Sequence, residues 1–83
     1  MSVAMDSNIS TVYVHLLDEG TTVLRPTRAK ALAKDIYQLL ATPNYDPDDE
    51  HWEFPPGSIV RCDKEVRDGS KILIARELVN TIS

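Results

Sequence analysis

The sequence predicts a small, mainly β domain, an antiparallel β-barrel of about five strands, and three observations carry that expectation. Short runs rich in β-branched and aromatic residues recur, from Thr11-Val12-Tyr13-Val14-His15-Leu16-Leu17 to Ser58-Ile59-Val60-Arg61-Cys62, and such side chains suit a pleated, half-buried surface. Turn chemistry separates the runs: Asp18-Glu19-Gly20, Pro55-Pro56-Gly57 and Asp68-Gly69-Ser70 supply residues that adopt the backbone angles of a tight reversal. Finally, a chain of 83 residues, 42% apolar and 27% charged, fills one modest core and not two.

Met1 to Ser10 is small, polar and aperiodic, so residues 1–10 read as a flexible lead-in to a single domain over 11–79, with 80–83 fraying. The first strand, Thr11 to Leu17, places Val12, Val14 and Leu16 on one face and Tyr13, His15 and Leu17 on the other. Thr21 to Arg25 is extended again, and Pro26, with no N–H for a ladder, points to an edge or a bulge. From Thr42 to Glu50 the chain is acidic and punctuated by proline, a long surface loop. It leads into Trp52-Glu53-Phe54-Pro55-Pro56-Gly57, which holds the only Trp and the only Phe. The two prolines fix φ and Gly57 accepts a positive φ, so this is a rigid corner feeding the strand Ser58 to Cys62. Trp52 and Phe54, two apart, fall on one side of an extended chain and are expected to cap one end of the core. Asp68-Gly69 then turns the chain into a last strand, Lys71 to Leu78.

The span Thr27 to Ala41 reads two ways. By period, Ala29, Leu32, Ala33, Ile36 and Leu40 share a helical face, Thr27 is placed to cap it, and Ala, Lys, Leu and Gln are good helix formers. That gives an α+β fold with one helix at Arg28 to Leu40. Alternatively, Arg28 to Leu32 and Ile36 to Leu40 are the arms of a hairpin turning at Ala33-Lys34-Asp35. Composition leaves both open.

Asp18-Glu19-Gly20, Leu24-Arg25-Pro26-Thr27, the loop Ala41 to Glu50 and the stretch Trp52 to Cys62 together resemble a group of small, functionally uncharacterised bacterial proteins. The resemblance covers nearly everything from Val12 to Ile74. Members of that group often carry a Gly-containing turn where this chain has Ala33-Lys34-Asp35, which implies strand, turn and strand here; the glycine itself is absent. The run Phe54 to Val60 more weakly resembles the approach to a late strand in Src-homology-3-like barrels of the translation and transcription type. Together the resemblances imply a Src-homology-3-like barrel.

Nine basic residues against thirteen acidic ones give a net charge of −4, so the whole-chain field repels phosphate backbones and disfavours nucleic acid as a partner. No apolar run approaches the ~18 residues needed to span a bilayer, and the first ten residues lack the pattern of a secretory leader. A cytoplasmic location, with no membrane contact, is therefore expected. The single Cys62 rules out a disulfide or a Cys-pair zinc site within one chain.

Candidate sites are few. Asp46, Asp48, Asp49, Glu50 and His51 gather oxygen ligands as a hard cation requires, but in a calcium-loop template His51 falls where the glycine belongs and Gly57 where the bidentate Glu belongs. A solvated acidic loop is the preferred reading, and no metal or cofactor is expected. His15, His51 and Cys62 would make a thiolate–imidazole set only if folding brought them together; packing of Cys62 in the core is preferred. No phosphate loop, nucleophile elbow or zinc-protease motif is present, so neither an enzyme nor a small-molecule substrate is implied. Arg25, Arg28 and Lys30 offer a basic stripe for single-stranded nucleic acid, with Arg61, Lys64 and Arg67 beyond it; surface ion pairs are the plainer reading. Tyr45, Trp52 and Phe54 are the candidate partner-binding residues, since aromatics concentrate at protein interfaces. The expectation is a non-catalytic protein-interaction module, binding an unidentified protein or its own copy. A nucleic-acid- or ribosome-associated barrel comes second, and a metal-dependent activity at the acidic loop third.

Overall fold

Strands form where the β-branched runs lie. The computed structural model describes residues 8–79, which form β1 (Ile9–Leu16), β2 (Val23–Ala33), β3 (Ile36–Leu39), β4 (Ile59–Arg67) and β5 (Ser70–Leu78). The expected lead-in up to residue 7 and the expected fraying of 80–83 lie outside the described residues, whereas Ile9 and Ser10, read as lead-in, belong to β1. The strands close in chain order into one small Src-homology-3-like barrel. Each consecutive pair is antiparallel. The closing pair is parallel, through Val12 with Leu73 and Tyr13 with Ile74. An odd number of alternating strands leaves the first and the last pointing the same way, so in a mainly antiparallel barrel the seam is the one parallel pair.

Alternation fills the interior. Val12, Val14 and Leu16 of β1, Ala29 of β2, Leu39 of β3, Val60 and Cys62 of β4 and Ala75 of β5 meet in one core, closed at one end by Trp52. Between Arg28 and Leu40 the chain is a hairpin, and among the described residues no α-helix forms. Thr27 and Ala29 are buried while Pro26, Arg28 and Lys30 are exposed, a period of two that a helix does not produce. The turn falls at Lys34-Asp35, where Asp35 takes φ +62°. Aspartate tolerates this left-handed conformation because its short carboxylate bonds locally, so no glycine is needed. Thr27 caps nothing; its hydroxyl donates to the Leu40 carbonyl at 2.5 Å.

Strand lengths are unequal. β2 has 11 residues and β3 only 4, so β3 leaves β2 at Arg28, where the Leu40 N–H donates to the Arg28 carbonyl at 2.9 Å. From Thr27 back to Val23, β2 pairs with β1 alone. Pro26 sits in that unpaired half, as expected of a residue with no N–H. Among the described residues, no helix is long and apolar enough to cross a membrane.

Candidate functional site

The loop from Leu40 to Ser58 crosses one end of the barrel and is strapped down by its main chain. Trp52 pairs with Leu16 as an extra rung. Around it Leu17 N–H donates to the His51 carbonyl at 2.7 Å, and Glu53 N–H to the His15 carbonyl at 2.9 Å. At the far end Gly57, at φ +94°, donates to the Leu39 carbonyl at 2.8 Å. The Pro55-Pro56-Gly57 corner therefore returns the chain to the sheet, where β4 begins.

These straps seat the aromatic residues. Trp52 is 3% exposed, and Tyr45 and Phe54 pack partly buried against the same core. The Tyr45 and Trp52 rings meet edge to face, with centroids 4.9 Å apart and planes at 68°. The indole N–H of Trp52 donates to Glu50 at 2.9 Å, and Arg25 pairs with the other oxygen of that carboxylate. The Trp52 bond first, and then the Arg25 guanidinium, hold the Glu50 carboxyl below its ordinary value. Of the three residues singled out for partner binding, Trp52 is thus structural. Tyr45 and Phe54 keep partial exposure beside it.

This braced loop stands away from the unpaired half of β2 and leaves a slot. Two adjoining cavities of ≈ 440 and ≈ 300 Å³ lie between β2 and the loop, sharing Pro26, Thr42 and Pro43, and the larger also reaches Thr11 of β1 over the outer face. One end is bounded by Arg28 and Ala41, the other by Arg25, Asn44 and Glu50. Main-chain groups alternate in direction along a strand. Since the Arg28 carbonyl faces β3, those of Pro26, which lines both cavities, and of Leu24, just beyond them, point to the same flank, together with the Leu24 N–H. Among the described residues no main-chain partner bonds Leu24 or Pro26 on that side. A third hollow of ≈ 410 Å³ lies near His15, Asp18 and Arg76, but these three already have ion-pair partners, Asp18 in His51. His15 faces Glu53 at 3.5 Å, and Arg76 pairs with Asp63 and Glu65.

The basic stripe does not form. Arg25 stands opposite Val14, on the inner side of β2, while Arg28 and Lys30 point outward. The Arg25 Nε is buried without a hydrogen-bond partner. Beyond β2, Arg61 pairs with Asp63 and Glu77, and Arg67 with Glu65. Nor does the acidic run converge. Asp46 spends its side chain on Asp48 N–H at 2.9 Å and its carbonyl on the N–H groups of Asp49 and Glu50, also at 2.9 Å. Glu50 turns to Trp52 and His51 to Asp18, at 2.8 Å. Among the described residues no group of three or more His, Cys, Asp or Glu side chains is placed to hold a metal ion. His15, His51 and Cys62 stay apart. Cys62 is 2% exposed, and burial, aided by Asp35 and Asp63, pushes its thiol up to about 11, the opposite of an activated nucleophile.

No family model, curated protein or solved structure matches this chain. The slot residues Pro26, Thr42 and Pro43 carry no site pattern in the sequence. Pro26 was the signal, since a proline in a strand marks an unpaired flank.

Proposed function

We propose that this protein is a non-catalytic protein-interaction module that takes an extended peptide along the open half of β2. The observation that carries the reading is the slot itself, where Pro26, its main-chain oxygen without a main-chain partner, lines a cavity of ≈ 440 Å³ and Leu24 lies on the same open flank of β2. A peptide laid there adds a strand: main-chain bonds supply affinity, and the side walls at Pro26 and Pro43 select side chains. Tyr45 and Phe54 are peripheral in this arrangement, and Trp52 braces the wall. The buried free thiol of Cys62 fits a reducing compartment, and we place the module in the cytoplasm.

Nuclear magnetic resonance tests this directly. A pool of unstructured synthetic peptides with free ends, added to the labelled protein, is expected to shift the Leu24 and Arg28 amides and slow exchange at Leu24. Leu24→Pro removes the one edge N–H of this half without touching the β1 ladder and is expected to abolish the shifts. Shifts confined to other surfaces, or unaltered by that substitution, would sink the proposal.

A further inference from the structure

We infer that the slot receives the C-terminal end of its peptide, with the terminal carboxylate held at Arg28. This rests on the strand-addition reading above. The slot is blind at one end: Leu40 already occupies the place beside Arg28, its N–H donating to the Arg28 carbonyl at 2.9 Å. A strand lying along Leu24 and Pro26 must therefore stop there. The bond from Leu40 is not reciprocated, because the Leu40 carbonyl takes the Thr27 hydroxyl at 2.5 Å. Among the described residues, no main-chain acceptor engages the Arg28 N–H.

The pattern of free groups sets the direction of the peptide. In the slanted bonding of a parallel pair, a residue beside Thr27 donates its N–H to the Pro26 carbonyl and offers its own carboxyl oxygen to the Arg28 N–H. The residue two earlier donates to the Leu24 carbonyl. Only one bond of this ladder is missing, at the nitrogen of Pro26.

Charge agrees with that end. Among the described residues Arg28 and Lys30 enter no ion pair, and both are exposed on the outer face. In a chain of net charge −4, an unpaired cationic spot at a blind strand end is complementary to a carboxylate. Captured chain termini use this combination of backbone N–H and cation. The apolar walls at Pro26, Ala41 and Pro43 favour an apolar last residue.

The test uses the full chain and two pools of randomised heptapeptides ending in valine, one with free carboxylates and one with C-terminal amides. The acid pool is expected to be retained at least about tenfold better than the amide pool and to shift the Leu24, Arg28 and Ala41 amides. Arg28→Gln, an exposed position, is expected to erase that preference while leaving the melting temperature unchanged. Equal retention of both pools with the same shifts overturns terminal capture and leaves strand addition standing. If neither pool moves Leu24 and Arg28, both are overturned. Shifts of these amides by a single-stranded RNA oligomer, but by neither peptide pool, reassign the surface to nucleic acid.

Discussion

The short strand β3 leaves two vacancies in the barrel, one beside Val23–Thr27 of β2 and one beside Asp63–Arg67 of β4, and the chain treats them differently. β4 follows β3 only through Arg61, with Cys62 N–H closing on the Asp35 carbonyl at 2.9 Å. Beyond that point its free flank carries Asp63, Lys64, Glu65, the exposed Val66 and Arg67, and Asp63, Glu65 and Arg67 are held in ion pairs that also take in Arg61 and Arg76. Charged, bonded and unwalled, it repels another strand in the way natural edges do. The vacancy beside β2 has instead a proline at its centre, charges only towards its ends, and a wall of Ala41 to Asn44. A vacancy in a sheet thus becomes a guarded edge or a receiving slot according to what the neighbouring loop and side chains supply.

Removing the wall should break that contrast most strongly. Trp52→Ala deletes a buried ring that contacts Tyr45 and bonds Glu50, and the expected loss is ~3–5 kcal/mol in urea denaturation, a large share of the stability of so small a domain. A loss below ~1 kcal/mol would mean that the wall stands without it. Next comes the turn between the two vacancies. Asp35→Val forces a β-branched residue to φ +62° and should cost ~1–2 kcal/mol, whereas Asp35→Asn should be tolerated; equal effects would refute the turn argument.

Acid sharpens the comparison with a smaller effect. The Glu50 carboxyl is held below its ordinary value of 4.5 in the folded chain. Its contribution to stability is therefore present above that value and lost as pH falls through the lower folded one. Glu50→Gln should be less stable than wild type near neutrality, with the gap closing in acid; a gap that persists there would show that the charge is irrelevant. At the alkaline end Cys62, raised from 9.0 to about 11, contributes stability that is full below 9.0 and lost as pH rises towards 11, and Cys62→Ala should lack that loss. The smallest effect touches no stability. In amide exchange, Leu24 and Lys64, facing the two vacancies, should exchange ~100-fold faster than their neighbours Arg25 and Asp63, which face paired strands. Equal protection at Leu24 and Arg25 would close the slot.

Much of the fold could be read along the chain, since turns such as Asp68-Gly69 and alternation such as Val12, Val14, Leu16 are local signals. Arg28 to Leu40 resisted because its side chains suit a helix, and only tertiary pairing with β1 and β4 overrides that propensity. The opposed directions of Arg25 and Arg28 lay in their odd spacing and were legible, though a stripe was expected. The slot was not legible, because it depends on where β3 stops, and strand length is set by the partner's register rather than by the strand's own residues. Pro26 marked the flank without revealing the wall.

The parallel seam has a consequence for how this domain sits in a larger assembly. With five strands rather than an even number, the outer ends of β1 and β5, at Ile9 and Leu78, emerge at opposite poles of the barrel. Groups attached at these two strand ends would be held apart along its axis. A donor–acceptor dye pair placed at these two ends would span the barrel's length, as on a rigid spacer bead.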